Sequence, residues 1–167
     1  MVDAERSVAV SGETGDGFAV FYARWRDPLR RALALTLGSV AFADEAIDEA
    51  MSRAAANWGQ IGIYDSPQGW VYRVGLNWAR GIFRKRRREV LTDSFVDPGQ
   101  ESPKPDLDLL RAVGQLPTRQ RSIVVARYYL DWSTAEVATA FDIPAGTVKS
   151  RLSRALARLA KDLGESQ

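Results

Sequence analysis

Apolar residues recur at helical spacing along most of the chain. From Asp16 onward, Phe18, Phe21, Tyr22 and Trp25, then Leu29, Leu33 and Leu37, fall on one face of a helix. Pro28 lies inside that run and predicts two helices or one kinked helix. Gly38 is placed to cap its end. Residues 42–58 combine alanines with i, i+4 apolar spacing and predict a second helix. Residues 57–69 carry three glycines and read as a loop with exposed aromatics. A long helix follows over 70–88, with Val71, Val74, Trp78 and Ile82 on one stripe. Tyr72, Leu76 and Phe83 lie on another side, bordered by Arg73 and Arg80. Residues 91–106 are acidic, proline-bearing and aperiodic, which predicts a somewhat extended linker. Beyond it, Leu107, Leu110 and Val113 suggest a short helix capped by Asp106. Pro117 suits the start of the next helix, which runs on through Ile123, Val124 and Leu130 to a turn at Asp131-Trp132.

The clearest local pattern is the stretch from Ser133 to Leu159. Ser133 and Glu136 have the S-x-x-E spacing of a capping box. Val137, Ala138 and Phe141 make a short apolar face, and Asp142 to Pro144 interrupt it. A second helix then starts near Ala145, with Val148, Leu152, Leu156 and Leu159 on its inner face. Thr147, Ser150, Arg154 and Lys161 point away, with Ser153 to one side and Lys149, Arg151 and Arg158 on the flanks. Short donors surrounded by long cations are what a helix needs in a major groove. The same pattern also describes an amphipathic helix with a solvated basic face.

Taken together, the pattern predicts an all-α chain of two small helical domains. A flexible N-terminus (1–15) precedes a first domain over 16–90. The acidic, Pro-rich linker (91–106) leads to a helix-turn-helix domain over 107–163. At 167 residues the chain has room for two such domains, and its 46% apolar content permits real cores. There are no cysteines and no histidines. Disulfides, thiolate chemistry, histidine bases and most zinc sites are therefore excluded. No cofactor or metal is implied, and carboxylate or lysine chemistry remains as the basis for any enzymatic function. No apolar run reaches the length of a membrane span, and no signal peptide is evident, so the expected location is cytoplasmic.

Charge changes the picture more than composition does. Net charge is only +2, yet residues 111–161 hold nine Lys/Arg against three acids, and residues 91–110 hold five acids against one Lys. Six of the nine residues from Arg80 to Arg88 are basic. A helix C-terminus attracts some cations, but this run points to polyanion contact. Aromatics interleaved with arginines on 70–88 suit a single strand, whose bases stack while cations track phosphates. Asp44, Glu45, Asp48 and Glu49 crowd one helix as like-charged i, i+4 pairs, which are mildly destabilising. They suit the helix dipole or a basic partner.

The residues Leu116-Pro117, Arg121, Tyr128 to Ser133, Glu136-Val137-Ala138 and Ile143 to Ala155 resemble the minus-thirty-five-binding region of bacterial RNA polymerase sigma factors. The core Gly146-Thr-Val-Lys-Ser-Arg-Leu152 carries most of that likeness. The whole chain resembles the small extracytoplasmic-function (ECF) group over about 18–163. That resemblance implies a subunit which binds core RNA polymerase and directs promoter-specific initiation, with no catalysis of its own. Asp44, Glu45, Asp48 and Glu49 would dock on the β′ clamp helices, with the β flap as a further polymerase contact. Trp58, Arg73, Asn77, Arg80, Arg84 and Lys85 would hold and melt the minus-ten element as single-stranded DNA. Thr147, Lys149, Ser150, Arg151, Ser153 and Arg154 would read the minus-thirty-five duplex. The acidic linker would thread toward the active-site and RNA-exit path. An anti-sigma factor is an expected regulator, and no membrane partner is implied. The chain departs from the family pattern at Asp48, where many members carry Gln, at Gly81, often Asp, and at Asp142, often Gly. The alternative is a free-standing helix-turn-helix regulator of duplex DNA. A carboxylate-dependent metal hydrolase would rest on the acidic cluster alone.

Overall fold

The computed structural model describes residues 3–89 and 107–164, with side chains over 17–86 and 107–164. The described residues are helical, with no strand among them. The expected linker path, the Asp106 cap and the side chains of Arg87 and Arg88 lie outside these residues.

Helix α1 spans Asp3–Leu37 and passes through Pro28 without a break. It also begins inside the segment expected to be a flexible N-terminus. Gly38 ends it at φ +68° with its N–H on the Ala34 carbonyl, a backbone conformation that glycine adopts without strain. Ser39 then caps α2 (Val40–Ala56) by accepting from the Phe42 N–H. A two-residue connection therefore folds α2 back along α1. Ala43, Ala46, Ile47, Ala50, Met51 and Ala54 line the buried face, and the small residues let the neighbouring helices approach closely.

The expected loop contains one short helical turn, α3 (Trp58–Ile61). Helix α4 (Pro67–Glu89) starts at Pro67, three residues earlier than expected, because proline is preorganised for a first helical position. The C-terminal half holds α5 (Leu107–Gln115), α6 (Thr118–Val124), α7 (Thr134–Phe141) and α8 (Ala145–Gly164). Helix α6 runs into a π-helical turn over Val125–Tyr129, in which Leu130 N–H reaches the Val125 carbonyl.

The main buried cluster does not stop at the domain boundary. It runs from Leu29, Leu33 and Ile47 through Tyr72 and Leu76 of α4 into Ile123, Trp132, Val137, Ala140 and Val148. A smaller cluster of Ala112, Leu116, Val124, Ala155 and Leu159 holds α5 and α6 on α8. Tyr72 and Leu76, expected on a nucleic-acid face, are thus core residues, with Tyr72 fully buried. They are covered because the helix-turn-helix domain packs along α4.

Candidate nucleic-acid and polymerase interface

The helix-turn-helix is built by local rules. Ser133 Oγ accepts from Glu136 N–H at 3.1 Å, and Glu136 Oε2 accepts from Ser133 N–H at 2.6 Å, closing both halves of the capping box. Asp142 ends α7 in the left-handed conformation (φ 52°, ψ 50°), where Asp is tolerated better than most residues. Pro144 then accepts from the Thr147 and Val148 N–H groups and starts α8.

Val148, Ala155 and Leu159 are buried on α8, with Leu152 half-buried between them. Leu156, expected on this inner face, is 40% exposed. Position i+7 from Val148 returns to within about 20° of it, whereas i+8 lies about 80° away, so Ala155 takes the inner position. Lys149, Ser150, Ser153 and Arg154 stand exposed on the other side, while Thr147 and Arg151 are half-buried. The Ser150 hydroxyl donates to the Thr147 carbonyl at 3.1 Å, a local bond that DNA would have to replace.

On α4, Asn77, Arg84 and Lys85 are exposed, whereas Arg73 and Arg80 are half-buried toward the second domain. The Arg73 guanidinium lies 4.0 Å from the Asp142 carboxylate in the helix-turn-helix turn. Arg80 has its pKa lowered by burial and then by the positive charges of Arg119 and Arg151, with a smaller contribution from Arg84. Trp58 is packed among aromatics, with ring centroids 4.8 Å from Phe21 and 5.4 Å from Phe18. Most of its face is therefore occupied within the first domain. Ile63, 82% exposed, and Tyr64 stand out from the following turn instead. Sequence reasoning noted the glycine-flanked loop but did not single out these two. Their signal was a large apolar pair with no helical partner.

The acidic cluster on α2 is not unpaired. Asp44 accepts from Arg30 Nε, and Asp48 accepts from Arg26 at 2.7 Å, both across from α1. Glu49 accepts from Arg53 at 2.7 Å, one turn on, and Glu45 lies 3.8 Å from Arg86 of α4. Each acid thus has a guanidinium within the domain, which relieves the repulsion expected from sequence. The hydrogen bond to Asp48 leads in raising the Arg26 pKa. Among the described residues, no group of His, Cys, Asp and Glu is arranged to hold a metal ion.

Residues 106–159 match the family described as sigma-70, region 4. The chain is 33% identical over 148 residues to the RNA polymerase sigma-E factor of Streptomyces avermitilis, covering 85% of this chain and 83% of that protein. It is 36% identical over 146 residues to the ECF RNA polymerase sigma factor SigL of Mycobacterium tuberculosis, covering 81% and 82%. In fold it is similar to the sigma factor RpoE from Bartonella quintana, solved in complex with the anti-sigma factor NepR. There the TM-score is 0.74 at 22% identity, covering 90% of this chain and 98% of that one. It is also similar to CnrH, solved with the cytosolic domain of CnrY, at a TM-score of 0.66 and 22% identity over 95% and 97% of the two chains. With such identity across four-fifths of its length, this two-part helical chain belongs to the ECF RNA polymerase sigma factors.

Proposed function

We propose that the protein binds core RNA polymerase and directs it to a specific set of promoters. In this reading α8 enters the major groove of the minus-thirty-five element. Lys149 and Arg154 supply charge, and Ser150 and Ser153 supply short donors. Helix α4 and the preceding turn hold the melted minus-ten strand, with Asn77, Arg84 and Lys85 already exposed and Arg73 and Arg80 released from the second domain. Trp58 contributes by supporting that turn from its aromatic cluster. The acids of α2 dock on a basic surface of the polymerase by exchanging their internal arginines for its cations. No catalytic step is assigned to the protein, since a sigma factor is an initiation subunit and not an enzyme.

The observation that carries this reading is the exposed polar face of α8, set by a complete capping box and turn in a chain whose relatives along its length are sigma factors. An anti-sigma partner is part of the proposal. It is supported by the similar sigma factor of Bartonella quintana, solved in complex with an anti-sigma factor.

The test is association with core polymerase followed by run-off transcription from promoters selected by the reconstituted enzyme. We expect a stable complex and transcripts that start at a common spacing from a shared pair of elements. Tight binding to duplex DNA alone, with no association with core, would sink the proposal in favour of a free-standing regulator.

A further inference from the structure

Arg80, Phe83 and Arg86 form one ridge of α4, at steps of three residues. At about 100° per residue, Phe83 falls between the two arginines, roughly 60° from each. Earlier on the helix, Tyr72 and Leu76 are covered at the seam where the helix-turn-helix domain packs on α4. Phe83 lies beyond that cover. It is 40% exposed, whereas Tyr72 is buried and Trp70 and Trp78 are half-buried, so it is the surface aromatic of α4. Arg84 and Lys85, which follow it, are exposed as well. A surface ring set between cations suits a single strand, in which a base stacks on the ring and guanidinium groups meet the phosphates beside it.

Arg86 is turned from this ridge onto α2. Its guanidinium carbon lies 4.8 Å from the centroid of the Phe42 ring, and its Nη2 lies 3.8 Å from the Glu45 carboxylate. The Phe42 ring in turn lies 4.3 Å from Phe83, centroid to centroid, at an interplanar angle of 38°. Phe42 thus backs the surface ring while leaving part of it open. Arg86 therefore touches two elements with different tasks. Phe42 supports the ring, and Glu45 belongs to the acidic row of α2. Glu45 and Arg86 are each about half exposed. A pair of this kind shifts an equilibrium by no more than about fivefold. A contact that weak holds Arg86 at rest and yields to a better partner on either side.

We propose that Phe83 and Arg86 form a further single-strand contact, the ring for a base and the guanidinium for a phosphate, which Glu45 couples to polymerase docking. A polymerase cation that takes Glu45 releases Arg86 to the strand. A phosphate that takes Arg86 leaves Glu45 free for the polymerase. The two binding events then favour each other by the same factor, as linkage requires. The coupling rests on the sigma-factor reading, in which the α2 acids dock on the polymerase. The strand contact can be measured on the free chain.

The probe is a fluorescein-labelled oligothymidylate, read by anisotropy with the free full-length protein. Stacking tolerates any base, so no promoter sequence is needed. Phe83→Leu keeps an apolar side chain on Phe42 but removes the stacking face, and affinity should fall about tenfold. Phe83→Tyr restores the ring and should bind as the wild type does. Glu45→Gln frees Arg86 and should raise affinity about two- to fivefold. Removing any acid also favours a polyanion, so the change is repeated on an Arg86→Gln background. There the gain should shrink to the general charge effect given by Glu49→Gln, whose acid pairs with Arg53. In a titration against core polymerase, Arg86→Gln leaves Glu45 free and should tighten binding by a similar factor. Circular dichroism accompanies Phe83→Leu, and the exposed Glu45–Arg86 pair supplies an arm independent of the core. The strand contact is overturned if folded Phe83→Leu binds as tightly as the wild type, or if Phe83→Tyr binds no better than Phe83→Leu. The coupling is overturned if Glu45→Gln gains as much on the Arg86→Gln background as alone. It is equally overturned if Arg86→Gln leaves core affinity unchanged or lowers it. Failure of the wild type to bind core polymerase would remove the sigma-factor reading, while oligothymidylate binding would still report on the strand contact.

Discussion

Tyr72 shows how one side chain can be misread from its neighbours in sequence. It directly precedes Arg73 on a helix that ends in a run of cations, so its expected role was stacking on a single strand. Its actual partners are Thr36, Ser122, Trp132 and Phe141, 36 to 69 positions away, and no local pattern reports contacts at that range. Burial pushes its pKa above the ordinary tyrosine value. The sign follows from that direction. A pKa raised by folding means that stability is fully present below the unfolded value, near 10, and is lost as pH rises beyond it. Urea unfolding of the wild type should therefore be flat in this contribution to about pH 10, then fall by up to about 1.4 kcal/mol per pH unit. Tyr72→Phe should cost about 0.5–1.5 kcal/mol at pH 8 through loss of the Thr36 bond. It should also show a shallower alkaline decline. An unchanged decline in the variant would mean that another group titrates.

At the scale of elements, sequence reasoning served best where a helix is specified by its own residues. The Ser133–Glu136 capping box, the Gly38 terminus and the left-handed Asp142 all depend on atoms within a few residues, and all are present. It served less well where a helix chooses which face to bury. Leu156 fits an apolar stripe by type, but α5 and α6 pack on the Ala155–Leu159 side, and the leucine is left outside. The outward face predicts that Arg154→Ala weakens binding to a minus-thirty-five duplex by about 1–3 kcal/mol if it reads a base edge, most strongly for the preferred sequence. An equal loss on every duplex, with a shallower salt slope, would make it a phosphate contact. On α2, the internal pairs Arg26–Asp48 and Arg30–Asp44 compete with any outside cation. Arg26→Ala with Arg30→Ala should therefore raise affinity for core polymerase in a pull-down titration while lowering the melting temperature slightly. Lower affinity would mean that the arginines, and not the acids, touch the polymerase.

For the whole molecule, the balance at the seam should respond to salt in an informative direction. The Arg73–Asp142 contact is 4.0 Å long with an exposed carboxylate, so it contributes about 0–1 kcal/mol and little is lost on screening. The repulsion of Arg80 by Arg119 and Arg151 is also screened, and it opposes the packing of the two domains. Raising ionic strength should therefore stabilise the packed seam, read as a higher melting temperature. A decrease would show that attractive charge pairs dominate the seam. Promoter DNA should bind more weakly at high salt, because releasing condensed counterions into concentrated salt gains less free energy.

Helix content, the helix-turn-helix with its caps, the absence of thiol and histidine chemistry, and the basic and acidic zones were all determined by sequence. Each is a sum over near neighbours or over composition, so no distant contact can alter it. Tertiary structure decided which aromatics are core and which are surface, and paired each α2 acid with an arginine. It also carried the main buried cluster across the boundary expected between the two domains. Those outcomes depend on which faces meet, and two amphipathic units read from sequence alone carry no term for their mutual contact.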